Sequence, residues 1–381
     1  MTGDATPDGT SSDGADRVLV VNAGSSTVKL ALLDGADVVA SRTVDPAAAG
    51  EALGEFLDRG ATAVGHRVVH GAARFTGPVL VDDAVVDGIA ELAELAPLHQ
   101  GPALDALRRA REALPDVPQV ACFDTAFHGT VPASAYTYAV PREWRAHHGV
   151  RRYGFHGLAH EWSSRRAAAL VGRPVGELRT VTAHLGSGAS LCAVDRGRSV
   201  DTTMGFTPTA GLVMGTRTGD LDPSVPVHLA RRGVEIGHAL DRESGLKALA
   251  GSSDMRDVVA HAATGDDEAA LALDVWTHRA RALVAAMAAA LGGLDVLSFS
   301  GGVGEHQPAL RARIVEGLAF LGLGVDAQRN AAADGDADVT GRHATARTVV
   351  VTAREDVVVA EQVRAVLART GAAPPGAARR R

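Results

Sequence analysis

The sequence predicts an α/β fold made of two duplicated domains that face each other, and three observations carry that reading. At 381 residues the chain is longer than a single hydrophobic core usually grows. From Arg17 to Val44, three β-rich runs alternate with two sets of turn residues, Asn22-Ala-Gly-Ser-Ser-Thr27 and Asp34-Gly35. From Arg179 to Thr202 the plan recurs, with His184-Leu-Gly-Ser-Gly188 at the first turn and Asp195-Arg-Gly197 at the second, so that Gly24-Ser25 aligns with Gly186-Ser187. Backbone N–H groups in a turn of small residues can all point one way, which makes each hairpin a candidate anion site. Lys29 follows the first turn by two residues, and the strand period brings its ammonium to the same side. Two such turns on facing domains suit a phosphate-bearing nucleotide in the cleft between them.

Beyond the first hairpin, Ala47 to Arg59 has helical spacing, and Ala63 to Gly71 reads as a strand that ends in a polar loop. Arg67 sits among Val64, Val68 and Val69, where a guanidinium needs an anionic partner; a structural salt bridge and a ligand contact both satisfy that need. Asp82 to Ala113 is mostly helical, with a break expected at Ala96 to Pro102. Val117 to Cys122 is a strand that leaves Asp124 just past its carboxyl end, a position suited to ligand binding in open α/β sheets and equally to capping a helix. His156 lies between Phe155 and Gly157 with little cover on one side, open to a ligand contact or to a structural role, and an Arg/Ala-rich helix runs on to Leu170. Met204 to Pro223 is a long glycine-punctuated loop around Arg217, too apolar for disorder. A buried strand from Asp295 to Ser300 runs into the turn Gly301 to His306 and then a helix, and Thr348 to Val351 is the last core strand before a closing helix.

Composition narrows the function. A net charge of −7 leaves no electrostatic footprint for nucleic acid, and the longest apolar stretch, Ala282 to Leu294, is too short to span a bilayer. Cys122 and Cys192 lie far apart in apolar runs and read as buried free thiols of a reducing cytoplasm. None of the fifteen histidines shows zinc-site spacing, and no Gly-x-Gly-x-x-Gly opens a helix after the first strand, which argues against a dinucleotide-dependent oxidoreductase.

In order along the chain stand Val21-Asn-Ala-Gly-Ser-Ser26, His66-Arg-Val-Val-His-Gly71, Leu95-Ala-Pro-Leu-His99 and Phe123-Asp-Thr-Ala-Phe-His128. They are followed by Tyr153-Gly-Phe-His-Gly157, Met214-Gly-Thr-Arg217, Ser252-Ser-Asp-Met-Arg256 and Phe299-Ser-Gly-Gly-Val-Gly-Glu305. Together these motifs resemble the acetate kinase family of the acetate and sugar kinase/actin superfamily. The resemblance implies two duplicated actin-like ATPase (ribonuclease H-like) domains around a nucleotide cleft. Residues 17–150, completed by a helix over 357–371, would form one domain and 151–356 the other, with disordered tails at 1–16 and 372–381. It further implies reversible transfer of the ATP γ-phosphoryl group to acetate, giving acetyl phosphate and ADP, with Mg²⁺ or alternatively Mn²⁺, in a cytoplasmic homodimer that has no nucleic-acid or membrane partner.

Residue by residue, the resemblance implies metal positions at Asn22 and Glu355 and catalytic roles for Asp124, His156 and Arg217. Arg67 and Arg217 would hold the carboxylate and the transferring phosphoryl group, and Val69, Leu98, Phe155 and Pro208 the acyl methyl. Nucleotide contacts would come from Lys29, from His184, Leu185, Gly186, Ser187 and Gly188, from Asp254, Met255 and Arg256, and from Gly302, Val303, Gly304, Glu305 and His306. The chain departs from the family pattern at Ser187 and His306, each usually Asn, and at Gln100-Gly101 and Ala353-Arg354. A carboxylate acceptor is already ionised at neutral pH and needs no base, so Asp124 is expected to orient a cation or a metal-bound water. Two other readings remain: a propionate or other short-chain acid kinase, and an actin-like ATPase switch with no small acceptor.

Overall fold

A computed structural model describes residues 16–24, 27–93 and 97–371, excluding the side chains of 97–99. Ser25 and Ser26 of the first turn, the Leu98 side chain, residues 1–15 of the first expected tail and all of the second lie outside the described residues. The first sheet comprises β1 (Arg17–Ala23), β2 (Val28–Asp34), β3 (Asp37–Val44), β4 (Ala61–Val68), β5 (Val79–Leu80) and β6 (Gln119–Phe123), in the order β3-β2-β1-β4-β6-β5. The second comprises β7 (Arg179–Leu185), β8 (Ala189–Asp195), β9 (Arg198–Thr202), β10 (Val296–Ser300), β11 (Ala337–Asp338) and β12 (Arg347–Val350), in the order β11-β12-β10-β7-β8-β9. Read from the opposite edge, the second order is the first. Each sheet has an antiparallel three-strand meander, two parallel additions and an antiparallel edge strand. The duplication seen in the hairpins therefore extends to the whole of both sheets.

Strand alternation sends opposite faces of the first sheet to different partners. Leu19, Val21, Leu30 and Leu32 pack on α1 (Ala49–Asp58) and α2 (Pro97–Ala113). α3 (Gly157–Leu170) touches both sheets, through Leu158 against the first and through Ala167 and Ala168 against Val296 and Val349 of the second. α4 (Asp267–Ala290) covers the other face of the second sheet, its Ala272, Trp276, Ala280 and Val284 sharing a core with Val181, Leu191 and Leu297. α5 (Gly301–His306) follows β10 without a break. α6 (Glu355–Thr370) returns to the first sheet, where Val357, Val358, Val359 and Val363 meet Val18, Val20, Ala63 and Val120.

Two expectations are corrected. No break occurs at Pro102, which lies inside α2. The buried Gln100 amide accepts from His70 N at 3.2 Å and donates to His70 O at 2.9 Å, and this tertiary anchoring outweighs the donor that proline lacks. Gly301 to His306 is not a turn ahead of a helix but is itself the helix. Gly301 makes the change of direction at φ +77°, and Glu305 Oε1 accepts from Gly301 N at 2.8 Å, capping the end that Ser300 leaves uncapped. The loop around Arg217 does lack regular structure and is held by mutual bonds between Gly211 and Asp220.

α6 lies so close to β4 that a Cβ on Gly65 would sit 2.5 Å from Val359 Cγ1 and 2.7 Å from Val363 Cγ2. Gly65→Ala is expected to lower stability by about 1–3 kcal/mol through overpacking, read as a lower denaturant midpoint. Buried His66 and His128 are both pushed down to about 4, chiefly by burial, from an ordinary 6.5. Each binds its proton more readily in the unfolded chain, so unfolding should become easier as pH falls from about 6.5 towards 4. Urea midpoints measured across that range test the expectation.

Candidate active site

The parallel strands of the first sheet bring three polar side chains to their carboxyl ends: Asn22 on β1, Arg67 on β4 and Asp124 just past β6. Arg67 grips Asp124 with two bonds, Nε to Oδ1 at 3.1 Å and Nη2 to Oδ2 at 2.6 Å. Its Nη1 donates to Asn22 Oδ1 at 3.1 Å, and Glu355, the first residue of α6, lies 3.8 Å from Nε. Asp124 is 1 % exposed. Burial alone would lower the Arg67 pKa, but the charges of Asp124 and then Glu355 outweigh it and hold it above the ordinary value. Burial raises the Asp124 carboxyl while Arg67 pulls it back. At Glu355 burial is overcome by Arg67, His184 and Lys29, and the carboxyl lies below its usual range.

Asn22, Arg67 and Glu355, though not the buried Asp124, line a cleft of about 770 Å³ between the two sheets. The first half contributes Asn22, Lys29 and Arg67, the second His184, Gly301, Gly302 and Glu305, and α6 contributes Glu355. Among the described residues no cluster of three or more His, Cys, Asp or Glu forms a metal cage. Two carboxylates and an amide oxygen around one cationic group are nevertheless a hard-oxygen donor set. Such a set suits an ion that binds one or two carboxylates together with substrate phosphates, and the residues present therefore fit Mg²⁺.

His156 stands across the cleft at the head of α3 with a left-handed backbone, φ 56°. Gly157 N donates to Asp124 O at 2.9 Å, and a Cβ on Gly157 would fall 2.1 Å from that oxygen. Only glycine lets the chain pass there, and the passage couples the His156 backbone to Asp124. A Cβ on Gly188 would lie 2.5 Å from Arg217 Nη2 and 3.4 Å from His156 Nε2, so both side chains look at one point above the second hairpin turn. Arg217 Nη1 donates to Pro208 O at 2.6 Å. Burial, followed by His184, Arg67, His160 and Arg217, drives the His156 pKa well below its ordinary value. Val69 and Phe155 are buried in the second core, and Pro208 is half-buried.

A second cavity of about 380 Å³ opens alongside, lined by Gly186, Ser187, Asp254, Met255, Arg256, Gly302, Val303 and His306. It shares Gly302 with the main cleft. Asp254 caps the next helix through Arg256 N and is tied to the Arg256 side chain. Leu185 and Gly304 line neither cavity; they face each other in the packing below. Sequence reasoning missed Trp276 and Leu246, which help line the second cavity, and Ser190 and His160, which bond behind His156. His160 was detectable as the residue one helical turn after His156, and Ser190 as the strand position two beyond Gly188.

Two sheets of one topology, with cations converging where the carboxyl ends of their strands meet, define a phosphotransferase on paired actin-like ATPase-type domains. The model of the Acetokinase family matches residues 55–361, and the chain belongs to that family. It is 45 % identical over 386 aligned positions to the acetate kinase of Leifsonia xyli subsp. xyli, covering 91 % of this chain and 97 % of that protein. Among solved structures, Porphyromonas gingivalis acetate kinase superposes with a TM-score of 0.85 at 33 % identity, over 93 % of this chain and all of that one. A propionate kinase from Francisella tularensis gives 0.86 at 33 % identity, over 92 % of this chain and all of that one.

Gly188→Ala is expected to push the Arg217 guanidinium aside and lower turnover while leaving the unfolding midpoint near that of the parent; steady-state rates beside a melting curve check this.

Proposed function

We propose that the protein transfers the γ-phosphoryl group of ATP to acetate, reversibly and in one in-line step. The observation that carries this reading is the clustering of positive charge around His156: Arg67, which lines the cleft, and Arg217, which meets the His156 ring above Gly188, both act on it, with Val69 and Phe155 sharing the apolar core alongside. A carboxylate oxygen attacks the γ-phosphorus as the bond to the β,γ-bridging oxygen breaks, giving an acyl phosphate and ADP, and no proton moves. Positioning and charge neutralisation are then the whole task. Arg67, Arg217 and Lys29 supply positive charge, and Asp124 holds the Arg67 guanidinium in place. Asn22 and Glu355 would hold Mg²⁺, which supplies neutralisation of the nucleotide phosphates when bound. The adenosine would occupy the smaller cavity, and Ser187 and His306, where the chain departs from the family pattern, set its phosphate affinity and base preference.

Residues 17–150 with the helix at 357–371, and residues 151–356, are read as the two domains that close on the nucleotide. Free, buried Cys122 and Cys192 suit a reducing cytoplasm. Among the described residues no helix is long and apolar enough to cross a membrane. Exposed Leu221, Val225, Val227 and Val234 in and around the Ser224–Ala230 helix support a homodimer. Acetate and propionate differ by one methylene, worth about 1–3 kcal/mol in an apolar pocket, so propionate is accepted less well rather than refused.

Hydroxamate formation from ATP and a panel of short-chain acids tests the proposal, with acetate expected to give the highest kcat/KM. Acid-independent ATP hydrolysis would point to the ATPase switch. Arg217→Ala should lower kcat by roughly 10²–10³-fold in a folded protein, because it removes charge stabilisation made chiefly in the transition state.

A further inference from the structure

We propose that His70 is a pin that fixes how far apart the two walls of the acyl pocket stand, and that it thereby limits the length of acid the protein accepts. The pocket between Val69 and Pro208 rests on the acid-kinase reading, whereas the pin follows from the geometry. His70 directly follows Val69 on the loop that leaves β4, and its Nε2 lies 3.3 Å from Phe206 O, two residues before Pro208 on the glycine-punctuated loop. Val69 packs in the core of the second sheet, and the His70 ring meets Tyr153 and Phe155 edge-on, with ring centres 4.8 and 5.2 Å apart. A loop that leaves the first sheet is thus plugged into the second half of the molecule, one residue from one wall and two from the other. From Pro208 the tie continues to Arg217, whose Nη1 donates to Pro208 O.

Both ring nitrogens of His70 face backbone groups, and these decide where its proton sits. Ala72 N lies 2.9 Å from Nδ1, and a backbone amide can only donate, so Nδ1 is bare. Phe206 O can only accept, so the single ring proton is on Nε2 and points at it. The opposite tautomer loses both bonds, because a proton on Nδ1 would face the Ala72 N–H and the bare Nε2 would face a carbonyl oxygen. His70 is fully buried, and burial pushes its ring down to about 4, so at neutral pH no second proton competes. The peptides on either side of the tie are anchored separately. Gln100, at a position where the chain departs from the family pattern, accepts from His70 N at 3.2 Å and donates to His70 O at 2.9 Å, and Tyr138 Oη accepts from Phe206 N at 3.1 Å. Removing the ring's donor therefore cuts the tie between the walls while each wall keeps its own support. An acid longer by one methylene needs those walls to part, and tied walls resist it. His70 is a positioning residue in this scheme and touches no reacting atom.

Two carboxamide variants of the full chain separate the ring's two bonds. In His70→Gln the amide nitrogen takes the place of Nε2 and can still donate to Phe206 O, whereas in His70→Asn the side chain reaches only as far as Nδ1. Hydroxamate formation gives kcat/KM for propionate relative to acetate in each folded variant, with melting curves alongside. In His70→Asn the ratio is expected to rise roughly 5–20-fold, part of the roughly 10–200-fold that a methylene can be worth, with KM for acetate raised and KM for ATP unchanged. In His70→Gln it should stay near the parental value. Long-range ¹H–¹⁵N correlation spectra of the parent protein labelled at histidine, with the His70 signals assigned by their loss in either variant, read the tautomer without any activity assay, and the Nε2–H form is expected. A parent spectrum showing Nδ1–H with a bare Nε2 overturns the proposal whatever the variants do. So does a folded His70→Asn protein with the parental ratio, or an equal shift in both variants. Absence of acid-dependent transfer in the parent protein would instead remove the acid-kinase reading and leave the pin to be decided by the tautomer.

Discussion

One guanidinium ties together the carboxyl ends of the parallel strands of the first sheet. Arg67 receives Asp124 from the end of β6, Asn22 from the end of β1 and Glu355 from the start of α6, so four separate stretches of chain meet on a single planar cation. Its geometry explains why arginine and not lysine occupies the site: a forked, permanently charged donor set can serve several oxygens at once, while an ammonium presents one compact charge. The pairing is also what permits a carboxylate as buried as Asp124 to exist in the core, since a lone charge there would be strongly disfavoured. Under the proposed reading, function draws on the same arrangement. A cation already oriented by fixed carboxylates needs little reorganisation when an anionic substrate arrives.

The opposite wall is organised by backbone rather than by charge. His156 adopts a conformation that costs a residue with a Cβ about 1–3 kcal/mol, and such strain persists only where the surroundings over-determine it. Here they do. Gly157 N is bonded to Asp124 O and His160 N to His156 O, both at 2.9 Å, so the strained residue is clamped from the first lobe and from its own helix. Because the Gly157 clamp ends on Asp124, the position of the His156 ring is mechanically linked to the Arg67 cluster across the cleft.

Much of this was legible in the residues. Alternating β runs and small-residue turns gave the hairpins, and the repeated plan anticipated a duplication that extends to the edge strands β5 and β11. Asp124 was placed correctly past its strand because a short apolar run has a well-defined end. What escaped were features that depend on contacts distant in sequence. Gln100 continues a helix through Pro102 because His70, thirty residues earlier in the chain, supplies its partners. Gly301 begins a helix because Glu305 folds back to cap it. Leu185 and Gly304 share motifs with cleft residues yet face inward, since neighbours along a strand or a helical turn point in different directions. Ser190 and His160 look ordinary singly and come together only through the bond that Ser190 makes to each ring.

The helix that covers one face of the first sheet comes from far along the chain. Val357 to Val366 of α6 form one side of the core whose other side is Val18, Val20 and Ala63 near the amino terminus. Until α6 has been synthesised, that face of the first sheet is an uncovered apolar surface, and the emerging polypeptide must keep it from sticking to other chains. The same segment carries Glu355, so the core packing of α6 and this carboxylate of the cleft wall arrive in a single event. A chain that stops short of α6 lacks both together, so the cleft and the core that backs it cannot form one without the other.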